Sequence, residues 1–296
     1  MKPLEATADV ALRNILVASD FSRASDSALT TAPGIARRYS SKVILAHVFR
    51  PEAYHSVAPE ARQRALDDAW RDAQRQMMDQ LIAGRLSGLA NEVVVEQGDA
   101  IWEVLARLIT ERHIDMVVVG TRGRAGVAKL LMGSVAEDIF RQAPCPVLTV
   151  GPKLRRARSL EGPTRILFST GFSGHSLAAG GYALSLAQHH QGTLTLLHVV
   201  TAPTERAARE QVAHDAEHRL RALIAPSLQL AHPAQFVVEF GTAADCILRA
   251  AKQHKPDVIV LGIRQREGFA RRVRWATAYE VVRHAPCPVL TVRAPD

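Results

Sequence analysis

The chain is written twice, and that constrains its fold more than any other feature. Asn14-Ile-Leu-Val-Ala-Ser-Asp20-Phe-Ser22 is answered by Arg165-Ile-Leu-Phe-Ser-Thr-Gly171-Phe-Ser173. Val43-Ile-Leu-Ala-His47-Val48 is answered by Leu194-Thr-Leu-Leu-His198-Val199, and Asp115-Met-Val-Val-Val-Gly120 by Asp257-Val-Ile-Val-Leu-Gly262. Ala143-Pro-Cys-Pro-Val-Leu-Thr-Val150 returns almost unchanged as Ala285-Pro-Cys-Pro-Val-Leu-Thr-Val292. The order of these blocks never changes, so each copy is one complete folding unit. Within a copy, short apolar runs alternate with stretches of helical spacing. Strands are expected near 14–20, 42–49, 91–97, 115–120 and 146–150, and helices over 24–39, 58–88, 99–113 and 134–142. The second copy repeats the strands near 165–170, 193–200, 235–240, 257–262 and 288–292. Such alternation predicts an α/β fold with a parallel sheet covered on both faces. Residues 1–151 and 164–296 are read as the two domains. Residues 152–163, which follow Gly151 and end in Gly-Pro, carry four basic residues and are read as a linker.

Chemistry concentrates between Gly120 and Ser134. The stretch reads Gly120-Thr-Arg-Gly123-Arg-Ala-Gly126-Val-Ala-Lys-Leu-Leu-Met-Gly133-Ser134. An apolar strand precedes it, and a helical stretch follows with Ser134 as the expected N-cap. Glycines let bare backbone approach an anion, and a helix N-terminus adds its positive dipole end. This is the make-up of a phosphate cradle; the plain alternative is a glycine-rich surface turn. Neither Gly-Lys-Ser/Thr nor Gly-x-Gly occurs in the loop, which excludes the two commonest phosphate motifs.

The spacing Gly-x2-Gly-x9-Gly-Ser resembles the nucleotide-binding signature of the universal stress protein family. The resemblance extends to Asp20-Phe-Ser22 after the first strand, His47-Val48 at the end of the second, and the closing Cys145-Pro-Val-Leu-Thr-Val150. It covers nearly all of 12–150 and 163–293 in a tandem, two-domain arrangement. It implies two five-stranded parallel sheets flanked by helices, Rossmann-like and similar to adenine-nucleotide α-hydrolase folds, paired back to back through the late strands Val147–Val150 and Val289–Val292. That pairing is an internal pseudo-dimer, and a homodimer of whole chains is a further option.

The resemblance also implies ATP as the ligand, with Mg2+ as a companion ion. Val48 lines the adenine pocket, and Gly120 and Gly123 approach ribose and phosphates. Gly133, Ser134 and Val135 bind phosphate through N–H groups. Asp20 either accepts from a ribose hydroxyl or holds a metal-bound water; without a ligand it is a turn carboxylate. Arg122, Arg124 and Lys129 either neutralise phosphate charge or face solvent. His47, repeated as His198, reads as structural. No protein metal ligand and no catalytic set stands out. The second copy departs from the pattern: Gly171, Gln265, Trp275 and Ala276 stand where Asp20, Gly123, Gly133 and Ser134 stand in the first. It is therefore expected to keep the scaffold without the site. Its loop has five arginines between Arg264 and Arg274.

Three function classes follow. The first is an ATP-binding regulatory or stress-response protein acting through a nucleotide-dependent protein partner. The second is an enzyme, slowly hydrolysing ATP or acting at the α-phosphate, for which no general base is evident. The third, nucleic-acid binding, rests on a formal net charge of +8 and is poorly supplied with stacking rings at 5% aromatic residues. No apolar run approaches the ~18 residues of a membrane span. The acidic start and three unpaired-looking cysteines, Cys145, Cys246 and Cys287, lead to an expected cytoplasmic location. His214-Asp-Ala-Glu217-His218 matches an inverted zincin pattern but lacks a third ligand, and reads as a solvated helix face.

Overall fold

Apolar runs bounded by turn residues become strands, and 3.6-periodic stretches become helices, in the order the repeat predicts. The computed structural model describes residues 3–4, 10–50, 60–121, 132–151, 164–200, 206–264 and 276–294. The expected linker, 152–163, lies outside them. The first copy runs β1 (Asn14–Ala18), α1 (Arg23–Tyr39), β2 (Lys42–Phe49), α2 (Glu60–Arg85), β3 (Asn91–Gln97), α3 (Ile101–Glu111), β4 (Met116–Gly120), α4 (Ser134–Gln142) and β5 (Val147–Val150). The second runs β6 (Arg165–Ser169), α5 (Gly174–His189), β7 (Thr193–Val200), α6 (Arg206–Arg221), β8 (Gln235–Phe240), α7 (Ala243–His254), β9 (Val258–Arg264), α8 (Ala276–His284) and β10 (Val289–Ala294).

The ten strands of the described residues join one sheet in the order β3-β2-β1-β4-β5-β10-β9-β6-β7-β8. Pairing is parallel within each copy and antiparallel where the copies meet. At that junction Thr149 faces Val289, Leu148 faces Leu290 and Val147 faces Thr291, so the late strands do pair across a pseudo-two-fold axis. The Thr291 hydroxyl adds a bond to the Val147 carbonyl at 3.2 Å. Each strand satisfies an edge that the other copy would otherwise leave open. The register of β10 on β9 runs on through Arg293 and Ala294, which makes both strands longer than their apolar runs suggest.

Strand side chains alternate faces, and both faces are buried. Ile15, Val17, Val43 and Leu45 pack with Leu29, Ile35 and Met78 on one side, in a cluster that also holds Ile166, Phe168 and Leu184 of the second copy. Leu16, Ile44, Val117 and Val119 pack with Leu105, Leu108 and Ile139 on the other. The repeated aspartates have a structural cause. Asp115 Oδ2 accepts from the backbone N–H groups of Arg13 and Asn14 at 2.7 and 2.8 Å, and Asp257 Oδ2 accepts from Arg165 N–H at 2.9 Å. Each carboxylate ties the start of one strand to the start of its neighbour.

Candidate functional site

The order β3-β2-β1-β4-β5 reverses direction between β1 and β4, because β2 and β3 are laid to one side of β1 and the chain then crosses back from β3 to lay β4 and β5 on the other. A crevice opens there at the carboxyl ends of the strands, where open α/β sheets hold ligands. It contains a cavity of about 310 Å3. Ala18, Ser19 and Asp20 come to it from the end of β1, Val48 from β2, and Val119 and Gly120 from β4. Gly133, Ser134, Val135 and Ala136 come from the start of α4. Six sequence-predicted residues, Asp20, Val48, Gly120, Gly133, Ser134 and Val135, thus share one cavity. Gly123, Arg122, Arg124 and Lys129 lie outside the described residues.

Seven lining residues escaped the motif reading: Ala18, Ser19, Val119 and Ala136 adjoin predicted ones, and three come from elsewhere. Ser25 comes from the first turn of α1, and Ile101 and Leu105 from the first turns of α3. Ile101 and Leu105 are an i,i+4 apolar pair, indistinguishable in sequence from core residues. They turn one wall of the cavity apolar, as a flat aromatic ligand requires.

The turn after β1 sets the position of Asp20. Phe21 adopts a left-handed φ of 59°, uncommon for a bulky residue. It is held by its own N–H, which donates to Ser19 Oγ at 3.3 Å, and by its ring, stacked obliquely on His47 with centroids 4.5 Å apart. His47 Nδ1 donates to the Ser19 carbonyl at 2.7 Å, which fixes the tautomer with a proton on that nitrogen. His47 is therefore a brace for the turn. Asp20 Oδ1 accepts the Ser22 N–H at 3.0 Å, and Ser22 caps α1 by accepting from Ser25 N–H at 3.2 Å. One carboxylate thus orders the turn and lines the cavity.

Gly120 has a packing role. A Cβ built there would lie 2.2 Å from the Ala24 carbonyl oxygen and 2.3 Å from its carbon. The absent side chain lets the first turn of α1 close on the end of β4, which forms the crevice floor. The start of α4 also differs from expectation, because Gly133 and not Ser134 is the N-cap. Its carbonyl accepts the Glu137 N–H at 2.8 Å, and its own N–H donates to the Thr121 carbonyl at 2.8 Å. Ser134 becomes the first helical residue. A glycine cap has no side chain to satisfy the first-turn N–H groups, so this helix start is suited to an outside acceptor.

The second copy rebuilds the turn without the acid. Thr170 replaces Ser19, and its hydroxyl accepts the Phe172 N–H at 3.0 Å. Phe172 has φ 60°, and His198 Nδ1 donates to the Thr170 carbonyl at 2.8 Å. At Gly171 a Cβ would meet nothing within 4 Å, so neither packing nor conformation requires glycine there. Gly262 repeats the packing of Gly120, with its built Cβ 2.2 Å from the His175 carbonyl oxygen. Burial holds the His198 imidazole below its ordinary range; Arg219 adds to that shift, and the Thr170 carbonyl opposes it. Gln265, Trp275 and the arginine-rich loop to Arg274 lie outside the described residues, while Ala276 opens α8.

Among the described residues no group of three or more His, Cys, Asp and Glu could hold a metal ion. In the zincin-like motif Glu217 is bound by Arg221 at 2.6 Å, and the His214 and His218 rings pack on each other with centroids 4.4 Å apart. Nor is any described helix long and apolar enough to cross a membrane.

The sequence profile of the universal stress protein family matches residues 11–151 and again 163–293. A curated universal stress protein of Mycolicibacterium smegmatis is 27% identical over 294 residues, covering 94% of this chain and 96% of that protein. The crystal structure of a universal stress protein from Archaeoglobus fulgidus superposes with a TM-score of 0.69 at 18% identity, over 95% of this chain and 98% of that one. A universal stress protein solved in complex with cAMP is 27% identical, with a TM-score of 0.34 over 47% of this chain and 97% of that one.

Proposed function

We propose, from the premise that this chain belongs to the universal stress protein family, that it is an ATP-binding regulatory protein with one nucleotide site, in the first of its two repeats. The observation that carries this reading is the cavity at the β1–β4 switch. There an apolar wall, one carboxylate and the start of a glycine-capped helix converge in about 310 Å3. That volume is at the lower end of the ~300–1,000 Å3 of small-molecule pockets. In this reading the adenine packs on Ile101 and Leu105 beside Val48. The ribose lies near Asp20, and the phosphates meet the N–H groups of Gly133, Ser134 and Val135. Gly123 completes the cradle, Arg122, Arg124 and Lys129 supply counter-charge, and Mg2+ accompanies the phosphates. Asp20 either accepts from a ribose hydroxyl or orients a metal-bound water.

Regulation is favoured over catalysis by the donor set. Among the described residues Asp20 is the one ionisable side chain lining the cavity, and it already accepts from Ser22. Among the described residues no base is thereby paired with a nucleophile. The chain divides in this reading into a nucleotide-binding repeat over 1–151, a linker over 152–163 and a scaffold repeat over 164–296. It acts in the cytoplasm through a protein partner that senses nucleotide, and sizing with and without ATP reads whether whole chains also pair. Titration calorimetry with ATP and Mg2+ at physiological salt tests the reading. We expect close to one ATP per chain, displaced poorly by inorganic phosphate, with negligible turnover over hours. A stoichiometry near two would sink the one-site reading, and steady phosphate release would move the protein to the enzyme class.

A further inference from the structure

Ser22 and Ser173 are the N-caps of α1 and α5. Counting from them aligns Ala28 with Ala179 and Leu29 with Gly180. Leu29 is 1% exposed and fills the core under α1. At the matching place α5 has no side chain. Its backbone there is ordinary helix interior, where glycine is a poor choice on propensity alone. The space is filled from a distant part of the chain. Leu4, ahead of β1 and 6% exposed, places its side chain over Gly180: a Cβ built on that glycine would lie 2.6 and 2.7 Å from the two Leu4 methyl carbons. The Leu4 N–H donates to the Leu223 carbonyl at 2.7 Å, and Leu4 bridges Ile224 in parallel, just beyond the end of α6.

We infer that the second repeat carries a docking notch for one branched aliphatic side chain together with its backbone N–H, and that Leu4 of the same chain is its occupant. The notch has a floor at Gly180, a backbone acceptor at Leu223 and an apolar flank at Leu220 and Leu223, both fully buried. Its specificity is of two kinds. The missing Cβ admits a branched aliphatic side chain at that depth, and the Leu223 carbonyl demands a backbone N–H beside it. The core of the second repeat is thus completed by a residue that precedes the first strand of the first. This Leu4 strap adds a further tie between the copies to the one made by β5 and β10. Leu4, Val10 and Leu12 belong to one core cluster, and Leu12 lies just ahead of β1, the strand whose far end carries the candidate site.

A double-substitution cycle in the full chain tests the inference. Leu4→Ala should lower the thermal midpoint by several degrees, because it empties a buried site. In the Gly180→Leu background, where the helix supplies its own side chain and evicts the strap, the same Leu4→Ala change should cost little. A second measurement reads docking without relying on stability. A Leu4→Cys thiol should alkylate slowly in the parent and at least tenfold faster once Gly180→Ala or Gly180→Leu fills the notch, with each product located by peptide mass. Strict additivity of the two substitutions, or equal alkylation rates in all three backgrounds, would overturn the docking of Leu4 at Gly180.

Discussion

The switch points of the two repeats share a turn and differ in what the turn presents. Both hold a phenylalanine at left-handed φ, both brace it with a serine or threonine hydroxyl, and both lock the preceding carbonyl with a histidine. Both need glycine late in the fourth strand so that a helix can close on it. Among the described residues only the first presents a carboxylate, Asp20, beside a glycine-capped helix start. The difference separates two kinds of residue that one motif had merged. Gly120 is retained as Gly262 because backbone packing requires it in either copy. Asp20, Gly133 and Ser134 give way to Gly171, Trp275 and Ala276, which a packing requirement alone does not explain.

The largest expected effect comes from importing one second-copy residue into the first. Gly133→Trp sets at the cap of α4 the residue that stands at position 275. An indole there would cover the helix start, and ATP affinity should fall at least 100-fold, equivalent to about 2.7 kcal/mol. The ligand-free thermal midpoint should hardly move, since the second repeat carries tryptophan at the matching position. Calorimetry that finds parental affinity in this variant would remove the start of α4 from the site.

A smaller and symmetrical effect is expected at the packing glycines. Gly120→Ala and Gly262→Ala each force a methyl group against a carbonyl oxygen 2.2 Å away, so backbone must shift. Each should lower unfolding free energy by about 1–3 kcal/mol, as overpacking does. Denaturant midpoints would read this. If Gly120→Ala abolished ATP binding at unchanged stability while Gly262→Ala were silent, Gly120 would belong to the ligand and the division drawn above would fail.

How much was legible in the sequence follows from the same division. Strand positions were readable because a strand buried on both faces must be an apolar run, and the chain supplied each run twice. The junction was readable through the family resemblance, because Val147–Val150 and Val289–Val292 would each leave one sheet edge open in its own copy. Asp20, Val48 and the loop ends were readable through a spacing that resembles a known family. Ile101 and Leu105 were not, because an apolar pair on a helix looks the same whether it faces a core or a cavity. The cap of α4 fell one residue early for a local reason: the Gly133 carbonyl, not that of Ser134, accepts the first helical N–H. Leu4 was beyond reach, since nothing in its neighbours points to a glycine in the other copy.

The smallest effect concerns the histidine brace of the second turn. Burial depresses the His198 pKa, Arg219 adds to it, and the bond to the Thr170 carbonyl works the other way. Arg219 also lies over the Phe172 ring, with its guanidinium carbon 4.0 Å from the centroid, while the His198 ring packs on Phe172 with centroids 4.4 Å apart. A cation therefore already occupies this stack, and a protonated imidazole would add a second. A histidine whose folded pKa lies below its unfolded value of about 6.5 binds more protons when unfolded. The stability linked to it is present above that unfolded value and is lost as pH falls through the folded pKa. Arg219→Gln removes one depressing cause, so the folded pKa should rise toward the ordinary range and the acid loss of stability should become shallower. Proton NMR titration of the His198 ring in the parent and in Arg219→Gln reads the shift directly. A parent His198 that titrates at or above the ordinary value, or one that Arg219→Gln leaves unmoved, would show that the second turn is not braced against protonation by the arginine above it.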